Sequence, residues 1–196
     1  MKPPWPRQSN TIVVPGCFVF LHLPHTGGTW ICNMLCMYVE DTYPAPVRGH
    51  RVLAQTARIE PGLARCAFVR HPYARLESWW CHAKKKPYLE EFKVEIARRI
   101  AEHPGYEGQA FAAYCGPPDD PIRYIGRTES IASDLIRFLQ EAGAKFDEAA
   151  IRQADPIRPA RPSVKSVIQS YRPEGAPLFY EANRDAYERF GYPVMP

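Results

Sequence analysis

The chain has 196 residues, with 25 Lys and Arg against 21 Asp and Glu, a formal net charge of +4. That length buries a core without disulfide or metal staples, and 45% hydrophobic with 23% charged residues excludes a disordered or fibrous chain. The weak positive balance argues against general nucleic-acid binding and suits an anionic ligand.

No run of about 18 apolar residues occurs, so no membrane span is expected. Residues 1–10 are Pro-rich and polar, without the apolar stretch of a signal peptide; they read as a flexible N-terminal segment ahead of one domain over 11–196. The six cysteines, at 17, 32, 36, 66, 81 and 115, form no CxxC pair. They read as buried thiols in a reducing, cytoplasmic setting.

In chain order, the β-branched, apolar run from Thr11 to Leu23 predicts a buried strand centred on 17–23, and 28–39 a helix after a Gly pair. Residues 66–70 (CAFVR) predict a second strand and 73–83 a helix behind Pro72. Residues 89–102 place Leu89, Phe92, Ile96 and Ile100 near one face of an amphipathic helix. A short strand at 122–125 precedes a helix over 129–142 with Ile131, Leu135, Phe138 and Leu139 on a stripe. The Pro/Arg/Ser-rich stretch 153–175 reads as irregular, and 177–190 as a closing helix. Alternation of this kind predicts an α/β fold with a central parallel sheet flanked by helices. Ligands of such sheets sit at the carboxyl ends of the strands, so the loops after 23, 70 and 125 are where chemistry is expected.

The first loop reads Leu23-Pro24-His25-Thr26-Gly27-Gly28-Thr29-Trp30. Its glycines permit close backbone approach, and the unpaired N–H groups of the helix start favour an anion, with Thr26 and Thr29 as hydroxyl donors. The same text also suits a plain strand–helix turn. In the second loop, Arg70 stands at a strand tip and Ser78 two turns into the next helix, a pair able to converge on one phosphate. Arg75 is expected in a helix-surface ion pair, Trp79 and Trp80 in the core, and His71 in local structure. His22 is expected in the core or behind the site.

Three further stretches complete the pattern: Tyr124-Ile125-Gly126-Arg127-Thr128-Glu129 with Asp134-Leu135, then Pro162-Ser163-Val164-Lys165-Ser166, then Asp185 to Tyr192 ending Phe190-Gly191-Tyr192. Taken with Pro24–Trp30 and Phe68–Trp80, they resemble the sulfotransferases that use 3′-phosphoadenosine-5′-phosphosulfate (PAPS), especially the bacterial and carbohydrate branch. The likeness runs from about residue 17 to 192. It implies a P-loop-like, sulfotransferase-type architecture and transfer of a sulfuryl group from PAPS to a hydroxyl or amine, leaving 3′-phosphoadenosine-5′-phosphate (PAP). By this resemblance Thr26, Gly27, Gly28, Thr29 and Trp30 hold the 5′-phosphosulfate, and Arg70 and Ser78 the 3′-phosphate. The segment 153–175, with Arg158, Arg161, Lys165 and Arg172, forms a basic lid.

At His25 the family carries a lysine that neutralises the leaving phosphate. A histidine does so only when protonated, which a neighbouring dianion favours. His25 therefore marks either a working cation or a weakened PAP/PAPS-binding protein. His50, in Arg48-Gly49-His50-Arg51, is the expected general base. No pair among His22, His25, His50 and Cys66 has a usual zinc spacing, so no metal is expected. The Walker lysine and a Mg²⁺ carboxylate of nucleotide hydrolases are missing. The region 84–115, with Lys84-Lys85-Lys86 and several aromatics, is where an acceptor such as a carbohydrate, phenol or lipid is expected. Oligomeric state is not readable.

Overall fold

The computed structural model describes residues 10–83, 88–154 and 162–195, the last span without the side chains of 162–164. The chain opens with β1 (Thr11–Val14) and β2 (Phe18–Leu21), followed by α1 (Gly28–Tyr38), the two-residue β3 (Tyr43–Pro44) and β4 (Ala64–Val69). Next come α2 (Pro72–Ala83), α3 (Leu89–Glu102), α4 (Tyr106–Cys115), β5 (Tyr124–Arg127), α5 (Ile131–Glu141) and α6 (Glu148–Gln153). The helices α7 (Pro162–Gln169), α8 (Arg172–Ala182) and α9 (Arg184–Phe190) complete it. Among the described residues no helix is long and apolar enough to cross a membrane.

The fold is α/β, but the expected all-parallel sheet is mixed. Strand order is β3-β1-β2-β4-β5, with β2, β4 and β5 parallel and β1 antiparallel to both β2 and β3. The single strand expected from Thr11 to Leu23 is a hairpin. Pro15 and Gly16 break it, Gly16 taking φ 72°, and Cys17 N–H closes the turn on Val14 C=O at 3.0 Å. Both arms are buried throughout and apolar but for Thr11, so periodicity could not reveal the reversal.

Among the described residues, those up to Val69 and from Ala112 to Ala154 form one compact unit; those from Arg70 to Phe111 and from Pro162 onward form a second. In the first, one sheet face (Ile12, Val14, Phe18, Phe20, Cys66, Phe68, Tyr124) packs on α1 through Ile31 and Leu35 and on α5 through Leu135, Phe138 and Leu139. Gly126 in β5 is required there, because an added Cβ would lie 2.4 Å from the Phe68 ring.

In the second unit, aromatic contacts bind α2, α3 and α8: Trp80–Phe92 at 5.4 Å and Tyr73–Phe179 at 5.8 Å between centroids. Trp80 is core, as expected; Trp79 is half-buried under the Arg99 guanidinium, 4.1 Å from its ring. Arg75 makes the expected ion pair, but with the fully buried Glu107 and not on the surface. His71 is buried and its Nε2 meets Pro193 C=O at 2.7 Å, a packing role.

Two expectations near the carboxyl terminus are corrected. The stretch 153–175 is not irregular where it is described: α7 occupies 162–169, and α8 begins at Arg172. The closing helix is two helices, broken at Asn183, whose Oδ1 accepts the Glu107 N–H at 3.1 Å. Arg172 is held by Glu77 through two 2.6 Å bonds, so its charge serves that pair and not an open lid. Residues 1–9, Lys84 to Lys86, Arg158 and Arg161 lie outside the described residues.

Candidate functional site

The carboxyl ends of β2, β4 and β5 share one edge of the sheet because these strands run parallel. One side chain ties this edge together. The Thr128 hydroxyl, just after β5, lies 2.8 Å from Thr26 C=O in the loop after β2 and 3.0 Å from Val69 C=O at the tip of β4. It has one proton for two acceptors, so the bond is shared between them. Asp134 secures the junction from behind, accepting the Arg127 N–H at 2.8 Å and the Ser130 hydroxyl at 2.7 Å.

The loop after β2 reverses tightly into α1. His25 takes φ 68° and Gly27 φ 81°, both left-handed. Histidine is among the few non-glycine types enriched there. Gly27 C=O receives the Trp30 and Ile31 N–H groups at 2.9 and 3.2 Å, which starts the helix. Gly28 and Thr29 are its first two residues, and their N–H groups have no helical carbonyl behind them. With the dipole of an eleven-residue helix, they present a positive end to the loop.

Thr26 departs from its expected part. Its side chain is 1% exposed and its hydroxyl donates to Leu23 C=O at 2.8 Å. That single proton staples the turn, so only the backbone of Thr26 remains to serve a ligand. Thr29 is exposed; Trp30 is half-buried against the core. Arg70 and Ser78 are half-buried and belong to the second unit, Arg70 directly following β4 and Ser78 lying within α2. Lys165 is half-buried on α7.

Beneath the turn lies a histidine cluster. His22 is 7% exposed, stacks on Phe20 at 6.3 Å and meets His50 edge-on at 4.6 Å between centroids. Its ring fills the space a side chain at position 28 would need: a Cβ on Gly28 would stand 1.9 Å from His22 Cδ2. Burial, then the imidazoles of His50 and His25, push the His22 pKa down to about 3. Partial burial also lowers that of His50. Both rings are therefore neutral at pH 7, and a neutral imidazole is a base. Among the described residues no group of three His, Cys, Asp or Glu side chains is placed to hold a metal ion.

Gly28→Ala is expected to destabilise the fold by about 1–3 kcal/mol, because the methyl is driven into a buried ring. Urea unfolding of Gly28→Ala, His22→Ala and the double variant measures it. The double variant is expected to lose less than the sum of the singles, since each relieves the other's defect. Strict additivity would show that the two positions do not touch.

The chain matches no protein-family model, no curated protein and no solved structure. Function is thus inferred from the site's chemistry and the motifs. Sequence patterns passed over Thr128 and Asn10. Thr128 stands within the Tyr124–Glu129 stretch that resembles the sulfotransferases, three residues past the expected strand, with no role of its own assigned there. Asn10 had no signal, because its contact with His50 spans 40 residues.

Proposed function

We propose that this protein transfers a sulfuryl group from PAPS to the hydroxyl or amine of a small-molecule or carbohydrate acceptor. The observation that supports the reading is the Thr128 tie, which holds the loop after β2 against the tip of β4 at the carboxyl edge of three parallel strands. Two of the motifs resembling the sulfotransferases meet there with a third at the end of β5. The N–H groups of Gly28 and Thr29 receive the phosphosulfate oxygens. By the resemblance, Arg70 and Ser78 are assigned to the 3′-phosphate, and Arg161 and Lys165 to donor binding.

In the reaction the acceptor oxygen attacks sulfur as the bond from sulfur to the bridging phosphate oxygen breaks. The acceptor proton passes to neutral His50, and PAP leaves. The helix start and protonated His25 stabilise charge on the leaving oxygen. A second reading is binding without turnover, favoured by one observation: the residue in the place of the family's lysine is a histidine in a left-handed turn.

Calorimetry with PAP and AMP tests the donor. PAP is expected to bind roughly ten- to hundredfold more tightly, the worth of one or more charge-assisted contacts to the 3′-phosphate. Equal affinities overturn the reading. Labelled PAPS and an acceptor panel then separate enzyme from binder. His25→Ala is expected to keep PAP affinity and lose transfer by about 10²-fold, as when one transition-state donor is removed. Transfer by His25→Lys but not by the wild type would mean binding only.

A further inference from the structure

Asn10 stands just before β1, and its backbone is part of the sheet: its C=O accepts the His22 N–H at 3.2 Å, one step beyond the Thr11–Leu21 pair. Its side chain is thereby aimed from a rigid element. The Asn10 Nδ2 lies 3.3 Å from His50 Nε2. An amide nitrogen only donates, so Nε2 is the acceptor and the ring proton of neutral His50 sits on Nδ1. The buried His22 ring, 4.6 Å away and nearly perpendicular, walls the other side. His50 is exposed, and the two residues that meet it, Asn10 and His22, are both carried by the hairpin of β1 and β2.

We propose that Asn10 is a positioning residue for His50, reserving the Nε2 lone pair as the proton acceptor and holding the ring proton on Nδ1. The proposal deepens the reading of His50 as general base and rests on it for its catalytic meaning. An acceptor hydroxyl entering the site takes the place of the amide on the same lone pair. Without Asn10 the two neutral tautomers compete, and the one with hydrogen on Nε2 has no base to offer in that direction.

The physical consequences have definite signs. A donor on Nε2 stabilises the neutral ring, so it adds to burial in keeping the ring unprotonated. Among the described residues, the titratable groups with a stated interaction in this cluster are His22, packed against His50 and itself neutral, and His25, which acts on His22; Arg48 and Arg51 flank His50 in sequence. None is a carboxylate, so none opposes the amide's effect. Replacing the amide by a methyl removes a stabiliser of the neutral form; replacing it by a carboxylate supplies an acceptor for the protonated ring.

Imidazole ¹⁵N–¹³C NMR of the full chain, with His50 assigned by a His50→Gln variant, tests this without reference to turnover. The wild type is expected to show His50 chiefly with hydrogen on Nδ1. Asn10→Ala is expected to shift population toward the Nε2-protonated form and raise the titration midpoint. Asn10→Asp is expected to raise it further and put the proton on Nε2. Neither change touches the backbone bond to His22, so both variants are expected to fold. With PAPS and an accepted substrate, the acidic limb of the kcat profile should move to higher pH in the same order.

A wild-type His50 with hydrogen on Nε2, or an unchanged tautomer and midpoint in both variants, overturns the positioning role even if turnover is found. The expected NMR shifts without any transfer from PAPS overturn the sulfuryl-transfer reading alone.

Discussion

Arg75→Ala is expected to cost about 3–5 kcal/mol of stability at neutral pH, the penalty for stripping the partner from a buried charge. Glu107 is fully buried, and its Oε2 meets the Arg75 guanidinium, which also lies 5.9 Å over the Phe111 ring. The other oxygen, Oε1, has no hydrogen-bond partner among the described residues. Burial already holds the Glu107 carboxyl above the usual carboxylate range, against the pull of Arg75. Without that guanidinium the carboxyl must protonate or unfold its surroundings. The loss should therefore shrink as pH falls and Glu107 takes a proton. Urea unfolding at several pH values measures this, with Arg75→Met/Glu107→Leu as the control. That double variant is expected to recover most of the loss, because apolar groups of similar volume carry no desolvation penalty. A loss below about 1 kcal/mol for Arg75→Ala would mean that water reaches the pair.

His22 is expected to make the protein acid-sensitive from about pH 6.5 downward, so the loss begins above the range where carboxylates titrate. Its folded pKa lies near 3 and its unfolded value near 6.5, so between them the unfolded chain holds more protons. The sign follows directly. The stability contributed by a neutral buried His22 is full above pH 6.5 and is lost as pH falls toward 3. The slope is about 1.4 kcal/mol per pH unit, and the whole loss is on the order of 4–5 kcal/mol. Among the described residues its Nδ1 is buried without a hydrogen-bond partner, and the titratable groups that act on it are histidines. Unfolding free energies for wild type and His22→Leu between pH 7 and 4 measure it. The variant should lose less stability per pH unit by about that slope. Parallel curves would show that His22 is protonated in the folded protein.

Both effects depend on a contact distant in sequence, Arg75 with Glu107 and His22 with His50, and the same holds for the candidate site. Hydrophobic period located the strongly amphipathic helices. Leu89 to Glu102 is a helix because Phe92 and Ile96 recur at helical spacing, and the structure buries both. The Gly-Gly pair located the start of α1, and the strand-then-turn texts located the tips of β2 and β4, where backbone hydrogen bonding must end. Local chemistry suffices for these features because caps, turns and amphipathic faces are decided within a few residues.

Periodicity reports which face of an element is buried, never what buries it or in which direction a strand runs. The hairpin at Pro15-Gly16 thus escaped notice between two apolar arms, and a mixed sheet stands where a parallel one was expected. Arg75 reads as a surface ion-pair partner and Arg172 as part of a basic lid, but Glu107 and Glu77 are brought to them across 32 and 95 residues. Thr26 looked like a ligand donor, yet burial commits its hydroxyl to Leu23. The tertiary structure alone carries Thr128 across 102 residues to the loop after β2, and packs His22 under Gly28. Such partners are chosen by the closing of the sheet, and a linear pattern holds no record of a contact whose strength depends on excluding water from both sides.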